Sequence, residues 1–143
     1  MLDLQSLTDD ELLNYVVDYA FQQEERLTEL SVPVQTVYFI SNFEAEFYNG
    51  GIQQFLTNSS GQFAKETAAS FASIGASGLA ALLQEAAALG PESTDEEALA
   101  KLNHELHAIY PTSAEGNVGD QLSSYLRNQP AESLPGISSP AAG

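Results

Sequence analysis

The chain is 143 residues long, 43% hydrophobic, and carries 20 acids against 4 bases, a formal net charge of −16. That is the size of one ordinary domain with material for a core, and so anionic a surface repels nucleic acid and anionic lipid heads while attracting basic proteins. The absence of cysteine excludes disulfides, thiolate metal sites and a cysteine nucleophile.

No stretch approaches the roughly 20 apolar residues of a membrane span. The start Met1-Leu2-Asp3-Leu4-Gln5-Ser6 has neither the basic opening nor the apolar run of a secretory signal. A cytoplasmic protein is expected, with the sequon Asn58-Ser59-Ser60 left unglycosylated.

Thr8-Asp9-Asp10-Glu11 reads as a capping box, with Thr8 at the N-cap and Glu11 three residues on. Leu12, Val16 and Tyr19 then repeat at helical spacing, and the helix is expected from Asp9 to Leu30. Pro33 opens a second helix at its first position. Val34, Val37, Tyr38, Ile40, Phe43 and Phe47 make it apolar around most of its circumference, as a central buried helix would be. Glu44 and Glu46 lie inside that run and are expected on a narrow exposed edge. Asn49-Gly50-Gly51 breaks the helix, a short helix spans Ile52 to Thr57, and Asn58-Ser59-Ser60-Gly61 is a turn.

A helix over Gln62 to Ile74 puts Phe63, Thr67, Phe71 and Ile74 on one face. The next, Ser77 to Leu89, follows Gly75-Ala76 and stops at Gly90-Pro91. Thr94-Asp95-Glu96-Glu97 reads as a second capping box, opening a helix with Leu99, Leu102, Leu106 and Ile109 inward that ends before Pro111. A last helix, Val118 to Asn128, buries Leu122, Tyr125 and Leu126. No run alternates like a strand. The expected fold is all-α, a compact single-domain array of about six or seven short helices over residues 1–128, with 129–143 a disordered tail rich in proline and small residues.

Charge is unevenly placed. Residues 1–46 hold 10 acids and Arg26, and residues 85–120 hold 8 acids and Lys101. The two segments flank a near-neutral, aromatic and alanine-rich middle. The acids follow helical periodicity, which is the pattern of charged outer helices around a core segment.

Little in the chain speaks for catalysis. His104-Glu105-Leu106-His107 pairs two imidazoles one turn apart, but a zinc site needs three or four ligands, and surface histidines are expected. Two histidines leave few ways to build a Ser-His-Asp triad, and Asn49-Gly50-Gly51 is followed by no Gly-Lys-Ser/Thr phosphate loop. No enzyme activity, metal or cofactor is expected.

The run from Asn49 to Gly61, of the form Asn-Gly-Gly, two variable residues, Gln-Phe, two variable residues, Asn-Ser-Ser-Gly, resembles the signature of the bacterial DNA-mimic-protein-like domain family. The acidic aromatic helix before it and Ile74-Gly75-Ala76 after it fit as well, and the resemblance extends over about residues 32–110. It implies an all-helical fold and, from the studied branch of the family, a protein that occupies the DNA-binding face of a helix-turn-helix regulator. The signature is uncharged and reads as structural. Gly50, Gly51 and Gly61 would set turns, Asn49 and Asn58 would cap helix ends, and Gln54 and Phe55 lie between, with Phe55 packed inward.

The partner-binding residues are therefore sought among the acids: Asp9, Asp10, Glu11, Asp18, Glu24, Glu25 and Glu29 first, with Glu92, Asp95, Glu96 and Glu97 as a second patch. Glu11, Asp18 and Glu25, seven apart, would share one helix face at intervals of roughly 10.5 Å, and Glu25 and Glu29 would lie one turn apart. Such rows imitate a phosphate backbone coarsely. The expected partner is a basic DNA-binding protein, a helix-turn-helix transcription regulator in the first place, with no direct nucleic acid and no membrane. Monomer and homodimer both remain open. An immunity-type inhibitor of a basic toxin or nuclease, and an acidic helical domain without mimicry, are the alternatives.

Overall fold

Thr8 starts the first helix as its sequence demands. Its Oγ1 accepts the Glu11 N–H at 3.1 Å, and the Glu11 carboxylate accepts the Thr8 N–H at 2.8 Å. In the computed structural model, which describes residues 2–110 and 117–138, the chain is all-α. The helices are α1 (Asp9–Gln22), α2 (Val32–Thr57), α3 (Ala64–Ser73), α4 (Ser77–Leu89), α5 (Glu96–Ile109) and α6 (Val118–Arg127). Short 3-10 turns join some of them.

α2 opens at Val32, one residue before Pro33, and α3 at Ala64, after a 3-10 turn that takes up Gln62 and Phe63, and three further boundaries differ from expectation. α1 ends at Gln22, not Leu30, and the chain tightens into a 3-10 turn over Glu24–Glu29 that is non-helical at Arg26 (φ −111°, ψ 25°). Glu24, Glu25 and Glu29 would have extended a helix whose C-terminal dipole is already negative, and anions there are unfavourable. α5 is capped one residue later than the capping-box reading, by Asp95, whose Oδ1 accepts the Ala98 N–H at 3.1 Å. A carboxylate acceptor is stronger than a threonine hydroxyl. The segment from 129, expected to be disordered, is structured as far as 138. It forms a 3-10 turn at Ala131–Ser133 with Ala131 and Leu134 buried, then the strand β2 (Ile137–Ser138), which pairs in parallel with β1 (Leu2–Asp3). Pro111 and residues 139–143 lie outside the described residues.

The helix break at Asn49-Gly50-Gly51 is present. Backbone angles leave the helical region at Gly50 (φ −148°) and become left-handed at Gly51 (φ 76°), and a short helix resumes to Thr57.

The chain divides into two compact units, residues 1–38 with 119–143, and residues 39–118. In the first, Leu12, Val16 and Ala20 of α1 are buried, as are Leu27, Val34, Val37, Leu122 and Leu126. Arg127 holds this unit's termini together. Its guanidinium donates to Asp9 Oδ1 at 2.7 Å, to the Leu4 carbonyl at 3.1 Å and to the Leu7 carbonyl at 2.7 Å.

The second unit is built on aromatics. Phe43 is fully buried and meets Phe47, Phe55 and Phe71 with ring centroids 5.4, 4.9 and 5.6 Å away, the last two edge-on. Edge contacts of this kind add to the burial of the rings themselves. α3 packs on α4, and α4 on α5, and Ala68, Phe71, Leu79, Leu83, Ala86, Leu99 and Leu102 of these helices are buried.

Candidate partner-binding surface

All eleven acids singled out from the sequence are exposed. They fall seven to the first unit and four to the second. In the first unit Asp10, Asp18 and Glu25 make no hydrogen bond or ion pair recorded among the described residues. The other four carry structural duties as well. Asp9 is paired with Arg127 at 2.7 Å and Glu29 with Arg26 at 3.2 Å. Glu24 accepts the Tyr38 hydroxyl at 3.2 Å, and Glu11 closes the capping box, whose backbone hydrogen bond from Thr8 lowers its carboxyl below the ordinary value.

Glu11 and Asp18 share α1 and keep their seven-residue spacing, about 10.5 Å along the axis. The third member of that row does not. Glu25 lies beyond the end of α1 in the 3-10 turn, and the Glu25–Glu29 pair sits across the non-helical Arg26. The straight row of three and the one-turn pair are thus replaced by a short row on α1 followed by a tight acidic turn. Arg26 offsets that turn little, because its pair with Glu29 is exposed on both sides (65% and 64%), and such pairs are worth about 0–1 kcal/mol.

In the second unit Asp95 caps α5, while Glu96 and Glu97 occupy its first turn and Glu92 the turn before it. Anions at a helix N-terminus are held favourably by its dipole. Lys101 reaches Glu105 at 3.9 Å and neutralises none of the four. Glu96 also lines an open cleft of about 250 Å³ with Gly50, Gly51 and Asn103, so the acidic patch abuts the Asn-Gly-Gly turn.

The residues of the signature run act on one another. Gln54 Nε2 donates to Glu46 at 2.9 Å, Asn58 Nδ2 donates to the same carboxylate oxygen at 2.6 Å, and Asn49 Nδ2 donates to Gln54 Oε1 at 3.2 Å. Glu46, expected on an exposed edge, is half-buried and ties the short helix back onto α2. The two asparagines were expected to cap helices. Instead their amides join this network, and Asn58 makes no side-chain cap bond to the turn it precedes. Phe55 packs inward, fully buried.

The glycines are sterically required. A Cβ at Gly51 would stand 2.8 Å from Asn103 Oδ1, the acceptor of the Ile52 N–H at 3.0 Å. One at Gly61 would strike the Leu56 carbonyl.

Glu44 is the residue the sequence reading placed least well. It is half-buried, and among the described residues no hydrogen bond or opposite charge is recorded for its carboxyl, which burial pushes up to about 7. Tyr48, one helical turn on, and Tyr110 at the end of α5 both lie close enough to feel its charge. His104 and His107 are exposed as expected. His107 rests its ring on Phe47 at 4.4 Å, and no cluster able to hold a metal occurs among the described residues. Nor is any described helix long and apolar enough to cross a membrane.

The features above define an acidic all-α protein whose described cations are few and mostly engaged and whose carboxylates are exposed in local groups. A family model described as DMP19-like protein matches residues 28–132. The chain belongs to that family, whose name denotes DNA mimicry, and the match extends further at both ends than the resemblance read from the signature. No curated protein and no solved structure matches the chain.

Proposed function

We propose that this protein is a DNA mimic that occupies the DNA-binding face of a basic protein, a helix-turn-helix transcription regulator in the first place, and so keeps that protein from its DNA. The observation that carries the reading is the exposure of Asp10, Asp18 and Glu25, with Glu92, Glu96 and Glu97, on a chain of net charge −16 whose recorded ion pairs engage only Asp9, Glu29 and Glu105. A DNA-binding face already presents lysine and arginine in rows. Exposed anions held on helices and in the ordered turns beside them meet them without the ordering cost of a flexible acidic tail. Attraction speeds encounter and weakens as salt rises. Binding, not catalysis, is the role this supports.

The test is a capture experiment from native host extract, washed across a sodium chloride gradient and eluted with duplex DNA. A regulator retained at low salt and displaced by the duplex supports the proposal. A captured toxin or nuclease would move the assignment to an immunity-type inhibitor, which has the same surface physics. Retention that duplex DNA does not compete away would defeat both.

A further inference from the structure

Three features of the second unit converge at one place. The first is Glu44, a half-buried carboxyl with no counter-charge or hydrogen bond recorded among the described residues. Buried carboxylates are ordinarily paired, and an unpaired one tends to keep its proton, so a cation brought beside this one would favour its charged form. The second is Tyr48, on the same face of α2 one turn later and 61% exposed, one of two large apolar side chains so open among the described residues. The third is Tyr110, only 7% exposed, whose hydroxyl is shut off from solvent with no hydrogen-bond partner among the described residues. The Tyr48 and Tyr110 rings meet edge to face at 5.5 Å, and Phe47 stacks on Tyr110 at 5.7 Å.

We propose that Glu44, Tyr48 and Tyr110 form a receiving site for one guanidinium group, the side chain of an arginine on the basic partner. It deepens the mimic reading, and rests on that reading for the source of the arginine. Guanidinium suits the site because it is planar, stacks on aromatic faces and forks onto a carboxylate. An arriving donor gains the Glu44 charge, the face of Tyr48 and, as that exposed ring gives way, the Tyr110 hydroxyl. Buried Tyr–Arg contacts are the kind that dominate interfaces, whereas rim acids each contribute little. The exposed acids would steer the partner, and this site would fix one of its arginines. The groups that could compete are few. His107 on α5 lies with its ring against Phe47. Lys101, further back on α5, reaches Glu105.

The probe is methylguanidinium chloride, followed by NMR of the full chain at pH 7.5 with carboxyl-labelled glutamate and ring-labelled tyrosine. Sodium chloride at equal ionic strength is the reference. The expected result is saturable movement of the Glu44, Tyr48 and Tyr110 signals, with the Glu44 carboxyl titrating lower as the probe is added. Asp18 and Glu25 should move no more than in sodium chloride. Tyr48→Ala, a change at a mostly exposed position, should weaken the apparent affinity at least about fivefold, and Glu44→Gln should abolish the saturable phase. Uniform shifts over all surface acids, or an unchanged affinity in Tyr48→Ala, would overturn the proposal. No regulator enters the experiment. Its failure therefore leaves the mimic reading standing, and a failed capture leaves the guanidinium site standing but removes the partner arginine as its occupant.

Discussion

Replacing Glu44 with glutamine removes a charge that the fold holds at a loss. The carboxyl, ordinarily half-protonated at 4.5, is pushed up to about 7 by burial. The folded chain thus binds this proton more tightly than the unfolded chain. Below about pH 4.5 both states keep it and no penalty exists. Between about 4.5 and 7 the unfolded chain releases the proton first, and stability falls as pH rises. Above about 7 both states are ionised and the penalty is complete. A gap of about 2.5 pH units at 1.36 kcal/mol each corresponds to about 3 kcal/mol. That figure is a ceiling, because water reaches a half-buried carboxyl and the glutamine amide needs partners of its own. Glu44→Gln should therefore gain about 1–3 kcal/mol at pH 8 and almost nothing at pH 4. Urea unfolding at five pH values between these limits, followed by far-ultraviolet circular dichroism, measures the difference directly. Asp18→Asn, at an exposed position, controls for the general relief of self-repulsion in so acidic a chain. A Glu44→Gln difference that does not depend on pH, or that matches the Asp18→Asn difference throughout, would refute the reasoning.

Other perturbations follow from single contacts. Arg127→Ala should cost about 2–4 kcal/mol in urea unfolding, since it strands two part-buried carbonyls and the Asp9 carboxylate, and Arg127→Lys should recover only part of that because an ammonium cannot reproduce the fork. Asn103→Ala leaves the Ile52 N–H without its acceptor and should cost about 1–3 kcal/mol, read from the urea midpoint at unchanged m-value. Gly61→Ala drives a methyl into the Leu56 carbonyl and should lower stability by about 1–3 kcal/mol or more, seen as a drop in Tm by calorimetry, whereas Gly119→Ala, with open space around its Cβ, should change Tm little.

The helical order of the fold is legible in the sequence because its signals are local. Thr8 with Glu11, the Gly50-Gly51 break, Gly90 and the apolar spacing of α2 each act within a few residues. The capping of α5 by Asp95 instead of Thr94 is a one-residue competition between neighbouring acceptors, which spacing alone does not rank. The early end of α1 was legible in principle, since three acids crowd its expected last turns. What local pattern could not reveal is contact across sequence distance. Arg127 reaches Asp9 and the Leu4 and Leu7 carbonyls over more than 100 positions. Asn103 holds the Ile52 N–H from another helix. Glu44 looks like an edge residue until Tyr110 is brought beside it. The exposed acids were readable from charge alone. Their division into two groups was readable too, and what needed coordinates was where α1 ends, which moves Glu24, Glu25 and Glu29 into the turn after it.

The most direct measurement is the affinity of the purified protein for its captured regulator as a function of sodium chloride, with labelled operator duplex as competitor in fluorescence anisotropy. Mimicry predicts that protein and duplex displace each other completely and that affinity falls steeply with salt. It also predicts that Asp10, Asp18, Glu25 and Glu96 replaced together by lysine abolish the displacement at low salt. A ternary complex of regulator, duplex and protein, or binding indifferent to those four reversals, would contradict it.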